Sequence, residues 1–313
     1  MNKTAIAKIL IPIVGILVLF PFVGSAVALI AGVLIAVFLG NPYPTKDCTH
    51  RLLTWSVIGL GAGMNLQTVA RVGVEGIGYT VISIAFVLVL GYALRRLLKV
   101  EEDAGLLITV GTAICGGSAI AAVTPAIGAK PHSVSVALGS VFILNALALV
   151  IFPPLGHAFG LSERAFGLWS ALAIHDTSSV VGATVAYGAQ AAEVGTTVKL
   201  ARALWIVPLT FGIGFMRKAN AGEAAAKAKK PWFILGFLIA AAIVTWIPEM
   251  QPVGQVVEAI ARRALVLTLF FIGLGLSKAT LKQVGPRPFV LALSLWLIVA
   301  SVTLFAVRTG IIH

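Results

Sequence analysis

The amino-acid sequence predicts an all-α polytopic membrane protein of about eleven transmembrane helices, two of them broken. Three observations carry that expectation. The chain of 313 residues is 59% hydrophobic and only 11% charged, with a mean hydropathy of +1.03. A water-soluble domain of this length cannot hide so much apolar surface, so the solvent is lipid. Apolar runs near the ~20 residues that a spanning helix needs recur along the whole chain. Two of those runs are interrupted midway by glycines and polar side chains, where leucines would serve an anchor better.

The expected spans are 4–21, 23–40, 52–66, 75–97, 104–126, 133–156, 165–188, 194–216, 231–248, 259–276 and 288–309. The first begins with a basic stretch and an apolar core, as a signal peptide does. No small-residue cleavage site follows, so it reads as an uncleaved first span. Pro125 and Pro153–Pro154 are expected to end or kink their helices. The whole chain, 1–313, forms one transmembrane domain. The segment 217–230, "RKANAGEAAAKAKK", is polar and reads as a cytoplasmic linker.

Charge tests the count. Eleven spans put the N-terminus and the segments near 41–51, 95–103, 157–164, 217–230 and 277–287 on one side. These hold sixteen of the 23 Lys and Arg residues: Lys3, Lys8, Lys46, Arg51, Arg95, Arg96, Lys99, Arg164, Arg217, Lys218, Lys227, Lys229, Lys230, Lys278, Lys282 and Arg287. Basic residues favour the cytoplasmic side, which predicts a cytoplasmic N-terminus and an extracytoplasmic C-terminus in an inner membrane. The net charge of +12 reflects these loops. No basic stripe is interleaved with aromatics, so nucleic acid is excluded as a partner. Cys48 and Cys115 lie far apart without metal-ligand spacing, so neither a disulfide nor a metal site is expected.

An internal echo points to an inverted repeat. "VIGLGAGMNLQTVARVG" (57–73) and "FIGLGLSKATLKQVG" (271–285) both leave a span through Ile-Gly-Leu-Gly and then lead into a long apolar helix. They fall in the third and tenth spans, so they run oppositely through the bilayer, as inverted repeats do.

The two interruptions carry the chemistry. One holds Thr112, Cys115, Gly116, Gly117 and Ser118; the other, "AIHDTSSVVGAT" (173–184), holds His175, Asp176, Thr177, Ser178 and Ser179. Paired glycines weaken a helix by about 1 kcal/mol each relative to alanine. Unwound backbone is tolerated in a membrane only where protein or a water-lined cavity receives it. Its half-helices then offer free N–H groups and a positive dipole end, which suit an anion. Asp176 is the acidic residue placed deep in a span, where burial costs at least about 2.5 kcal/mol, so an ion-coupling role with His175 is expected. Lys199 and Arg202, at i and i+3, share a helix face. They either snorkel to the outer interface or reach inward to an anionic substrate or to Asp176. Asn145 could line the same cavity, although a lone asparagine reads more readily as a helix–helix hydrogen bond, and Glu258, Arg262 and Arg263 read as interface residues. Neighbouring His and Asp point about 100° apart on a helix and no hydrolase signature accompanies them, so catalysis is not expected.

The stretches "GTAICGGSAIAAVTPAIGAK", "FGLWSALAIHDTSSVVGATVAYG" and "VKLARALWIVPL" resemble the YeiH-type family of proposed sulfate exporters, in order from about residue 50 to the C-terminus. Residues 1–45 carry little of the resemblance. That family is grouped with the bile/arsenite/riboflavin transporter superfamily. The resemblance implies two inverted repeats, a scaffold domain and a core domain that moves like an elevator. Where many relatives have Ala-Gln after His-Asp-Thr, this chain has Ser178 and Ser179, which alters the expected ligand preference. The fifth and seventh spans share a direction, so the two motifs are not simple inverted mates; either one is re-entrant or the repeat is permuted.

The combined expectation is a secondary transporter of a small anion such as sulfate, sulfite or a sulfonate, coupled to protons or Na+. It would have Thr112, Cys115, Gly116, Gly117, Ser118, Thr177, Ser178, Ser179, Lys199 and Arg202 around the substrate. No cofactor is expected; the bilayer is a partner, and a homodimer is expected by analogy with other elevator folds. The alternatives are a cation/proton exchanger using Asp176, a substrate-gated channel, and a non-transporting sensor or scaffold.

Overall fold

In lipid every backbone N–H and C=O must be paired within the protein, and a helix achieves this inside one segment. The computed structural model, which describes residues 3–216, 232–276 and 284–312, accordingly holds helices and, among the described residues, no strand. In chain order they are α1 (Lys3–Leu17), α2 (Ser25–Phe38), α3 (Thr45–Gly61), α4 (Leu66–Leu97), α5 (Glu102–Ala113), α6 (Gly117–Ile127) and α7 (Pro131–Ala158). There follow α8 (Glu163–Ala173), α9 (Thr177–Tyr187), α10 (Ala189–Ala203), α11 (Ile206–Met216), α12 (Trp232–Trp246), α13 (Gln251–Gly275) and α14 (Pro286–Arg308). Among the described residues, four stretches are long and apolar enough to cross a bilayer: Gly76–Leu97, His132–Ala158, Ala189–Met216 and Pro286–Arg308. The expected linker 217–230 and most of the second echo beyond Leu276 lie outside the described residues.

Local chemistry sets the boundaries. Asn65 begins α4 by accepting from the backbone N–H groups of Gln67 and Thr68, and Ser162 begins α8 by accepting from Ala165; both satisfy donors that a helix start leaves unpaired. Of the two outcomes expected for Pro125, Pro153 and Pro154, an end or a kink, the first does not occur. They lie inside α6 and α7, where packing of the surrounding helices outweighs the lost hydrogen bonds.

The helices pack in two groups. In the first, α13 lies along α2 and α3, α12 packs on α3, and α1 on α2. A Cβ on Gly32 would stand 2.2 Å from the Phe270 carbonyl oxygen, and one on Gly273 2.3 Å from that of Leu29. Main chain therefore touches main chain where α2 and α13 cross, which only glycine permits. Helices α3 and α13, which carry the two Ile-Gly-Leu-Gly copies, run antiparallel: Gly59 meets Ala261, and Gly254 meets the Ala62 carbonyl. The second group is α4 to α11 with α14. The groups meet mainly through α9, where Gly182 sits against Leu149 of α7, Leu269 of α13 and Ser25 of α2.

The expected spans 104–126 and 165–188 do not run straight through; each doubles back as a hairpin of two short helices. Ser133, on the first turn of α7, donates to the carboxylate of Glu101 at the start of α5, at 2.8 Å. A straight α5–α6 rod would put its ends about 38 Å apart, while the six residues from Ile127 to Ser133 reach only about 20 Å. Gly111 and Ile120 touch across the bend. In the second hairpin Tyr187, at the end of α9, stacks on Phe166 at the start of α8 with ring centroids 3.7 Å apart. Its hydroxyl donates to the Leu161 carbonyl at 2.6 Å. Hydropathy cannot distinguish a bend from a crossing, because two half-length helices have the composition of one whole span.

Helix α7 serves as a ruler. Its first turn holds Ser133 against the open end of the α5–α6 hairpin. At its last turn His157 stacks on Tyr187 at the open end of the α8–α9 hairpin. The hairpins therefore enter from opposite ends of a helix about 42 Å long, and their tips point at each other.

Candidate functional site

The first tip is formed by Ile114, Cys115 and Gly116, all buried. Gly116 has φ 62° and ψ −123°, a backbone conformation open to glycine and strained for other residues. Its N–H donates to the Gly111 carbonyl at 2.8 Å, which closes α5. The second tip is formed by Ile174, His175 and Asp176, with Asp176 extended at φ −94° and ψ 145°. There the Asp176 carboxylate caps the helix that follows it, accepting from the Ser178 N–H at 3.0 Å and from the Ser178 hydroxyl.

The tips touch. A Cβ on Gly116 would stand 3.4 Å from Cα and Cβ of Asp176 and 3.3 Å from Val141. One turn further along α7, the Asn145 side-chain oxygen accepts the Asp176 N–H at 3.1 Å. Val141 and Asn145 bracket the midpoint of α7. The two interrupted stretches thus meet halfway between the hairpin openings.

Lys199 and Arg202 stand behind the tips on α10, both fully buried. Lys199 Nζ donates to the carbonyls of Ile174 (2.6 Å) and Ala171 (3.3 Å). Arg202 joins the hairpins: Nε donates to Ala113 of α5 (2.7 Å) and Nη1 to Leu172 of α8 (2.8 Å). Longer contacts reach Ala171 and Thr112 carbonyls and the Ser83 hydroxyl. The C-terminal ends of α5 and α8 leave carbonyls unpaired and carry a partial negative charge, and these two cations answer both. Of the two sequence readings of the pair this overturns one: neither side chain snorkels to an interface, and both reach inward, bonding mainly to the carbonyls at helix ends. Among the described residues no ion pair links either to Asp176.

The remaining expected site residues divide by exposure. Gly117 and Asp176 are half-buried and Ser118 is exposed, so one side of the joined tips is accessible. Helix α6 begins there with no side-chain cap on its first N–H groups. Thr177, Ser178 and Ser179 are buried in the first turn of α9. Thr112 turns its hydroxyl back to the Ile108 carbonyl at 2.9 Å, and Cys115 is a buried free thiol; neither presents a free donor to the accessible side. Both ring nitrogens of His175 and the side-chain nitrogen of Asn145 are buried without a hydrogen-bond partner. The Asn145 oxygen makes the interhelical hydrogen bond that the sequence suggests, and its side-chain nitrogen is left over. A single asparagine on an apolar helix looks the same whether it joins two helices or serves a ligand.

Elsewhere, Glu258 and Arg262 pair within α13, and Arg263 donates to the carbonyls of Phe20 and Val23 between α1 and α2. An apolar cavity of about 470 Å³ lies beside Leu19, Leu52, Ile260 and Leu267, away from the tips. Among the described residues no cluster of His, Cys, Asp or Glu could hold a metal ion.

Two opposed helical hairpins meeting inside an apolar helical bundle define a polytopic membrane protein with a polar centre. The family described as "Conserved hypothetical protein 698" matches residues 4–292, and the chain belongs to it. A UPF0324 membrane protein of Bdellovibrio bacteriovorus is 64% identical over all of this chain and 98% of its own length. UPF0324 membrane proteins of Geobacter sulfurreducens and Bacteroides thetaiotaomicron are 47% and 45% identical, over 92% and 90% of this chain and 92% and 86% of theirs. The family is the one that the sequence motifs resemble. No solved structure matches the chain.

Proposed function

We propose that the protein is a secondary transporter that carries a small anion past the meeting point of the hairpin tips. The observation that carries this reading is the charge of that point. Lys199 and Arg202 bring two positive charges and Asp176 one negative. The four helix ends contribute about half a charge each, two of either sign, and cancel. One positive charge is left over in a water-poor interior, and an anion balances it. An uncapped helix start beside the exposed Ser118 supplies donors on the accessible side.

Arg202 supports the manner of movement. By bonding to α5 and α8 together it ties the hairpins into one body. Opening one tip alone would strand a buried guanidinium, so access alternates by moving the hairpin group against α1–α3, α12 and α13. This is elevator-like motion. With the hairpins re-entrant, nine crossings remain of the eleven expected. Lys130 then moves to the side of the N-terminus and Arg164 away from it, which leaves sixteen basic residues there as before. That asymmetry favours a cytoplasmic N-terminus, an extracytoplasmic C-terminus and a cell inner membrane. The half-exposed Asp176 carboxylate favours a second reading, a cation/proton exchanger.

The test is counterflow in proteoliposomes with labelled sulfate, sulfite, bicarbonate and a taurine-like sulfonate, for wild type and Asp176→Asn. Saturable flux of at least one anion supports the reading. Sodium-driven proton movement with no anion flux replaces it with the exchanger.

A further inference from the structure

The tips hold more polar capacity than they use among themselves. Asn145 is 3% exposed and His175 1%, yet three of their side-chain nitrogens have no partner. A polar group left unpaired in an apolar interior is strongly unfavourable, and such groups are retained where a ligand completes them. The Asn145 oxygen is fixed by the Asp176 N–H, which leaves its NH2 as the free end. Leu138, Phe142 and Val141, on the neighbouring turns of α7, are the residues that pack on Gly117 and Gly116. The Asn145 amide therefore stands one turn of α7 beyond the residues that pack on the uncapped start of α6, beside the Asp176 that touches Gly116. On the acceptor side, Asp176 Oδ2 takes both bonds from Ser178, and Oδ1 accepts none among the described residues.

Resting on the transporter reading, we propose that this point binds a singly charged oxyanion that carries a hydroxyl hydrogen, the class of hydrogensulfite and hydrogencarbonate. The Asn145 amide and the N–H groups of Gly117 and Ser118 hold its oxygens. Asp176 Oδ1 accepts its hydrogen, and the His175 ring supplies a further donor or acceptor. A fully ionised dianion such as sulfate fits less well on two counts: it exceeds the single surplus positive charge, and it offers the Asp176 carboxylate only repulsion. The same juxtaposition of an anion-binding helix start with a carboxylate acceptor selects for the hydrogen on the ligand.

The test measures counterflow of 14C-hydrogencarbonate, 35S-sulfite at mildly acidic pH and 35S-sulfate, in wild type, Asn145→Asp and Asn145→Leu. Each variant is first checked for a monodisperse folded state. Asn145→Asp keeps the acceptor for the Asp176 N–H but replaces the donor by a carboxylate that cancels the surplus charge, and Asn145→Leu removes the donor without adding charge, so a loss shared by both with the folded state retained marks a ligand role. The expected result is at least about tenfold faster flux of the hydrogen-bearing monoanions than of sulfate in wild type, and about a tenfold or greater loss in both variants, the size expected when one hydrogen bond to a charged group is removed. Sulfate flux equal to or faster than the others, or Asn145→Asp flux equal to wild type, overturns the assignment while the transporter reading stands. Absence of flux for every anion in wild type overturns both.

Discussion

The two hairpins share a plan and differ at the start of their second helices. In α5–α6 the chain turns through Gly116 at a positive φ and enters α6 with bare N–H groups beside an exposed serine. In α8–α9 it turns through extended residues and enters α9 under the Asp176 carboxylate, with the following hydroxyls buried. One tip carries no side-chain cap, and the other supplies its own anion. Two identical positive helix starts would bind a dianion; capping one of them halves the capacity and places an acceptor beside the remaining donors. The behind-tip cations add to the contrast: Arg202 serves the C-terminal ends of both first helices, and Lys199 that of α8 alone.

Variants can break or sharpen this contrast, in descending order of effect. Arg202→Leu strands buried carbonyls on both hairpins and is expected to lower stability by more than about 3 kcal/mol, read as a large drop in thermal midpoint in detergent. Arg202→Lys should not restore it, because one ammonium lacks the flat fork that spans both helix ends. Gly116→Ala forces a side chain into a backbone region it disfavours, against Val141 and Asp176; a loss of about 1–3 kcal/mol is expected. The matched change Gly128→Ala, at the left-handed end of α6 with open space around it, should cost about 1 kcal/mol and leave flux intact. Asp176→Asn retains a side chain able to cap α9, so the midpoint should move by less than about 1 kcal/mol equivalent, while flux of hydrogen-bearing anions falls at least tenfold. Ser118→Ala touches only the open tip: stability should stay within about 0.5 kcal/mol, and the concentration for half-maximal counterflow should rise severalfold.

The sequence made the positions of both tips legible and left their geometry hidden. Gly116–Gly117 and His175–Asp176 stood out because leucine-rich helices have no other use for such residues at mid-span. Nothing in composition says whether a chain continues or returns after a break, so spans 104–126 and 165–188 were expected as crossings. The return is decided by tertiary contacts such as Glu101 with Ser133 and Tyr187 with Phe166. Lys199 and Arg202 were legible as a shared face but not in their role, because the carbonyls they meet leave no trace in side-chain identity. Asn145 needed the neighbouring tip to give it meaning.

The glycine crossing of Gly32 with Gly273 has a mechanical corollary. Bare peptide planes in contact leave no side-chain layer to shear, so α2 and α13 behave as a welded post. The α9 surface around Gly182, where larger aliphatic groups lie between the two groups of helices, is the softer bearing. On the transporter reading, travel of the hairpins would be concentrated at that seam, and a bulky residue at position 182 would jam it at a distance from the tips.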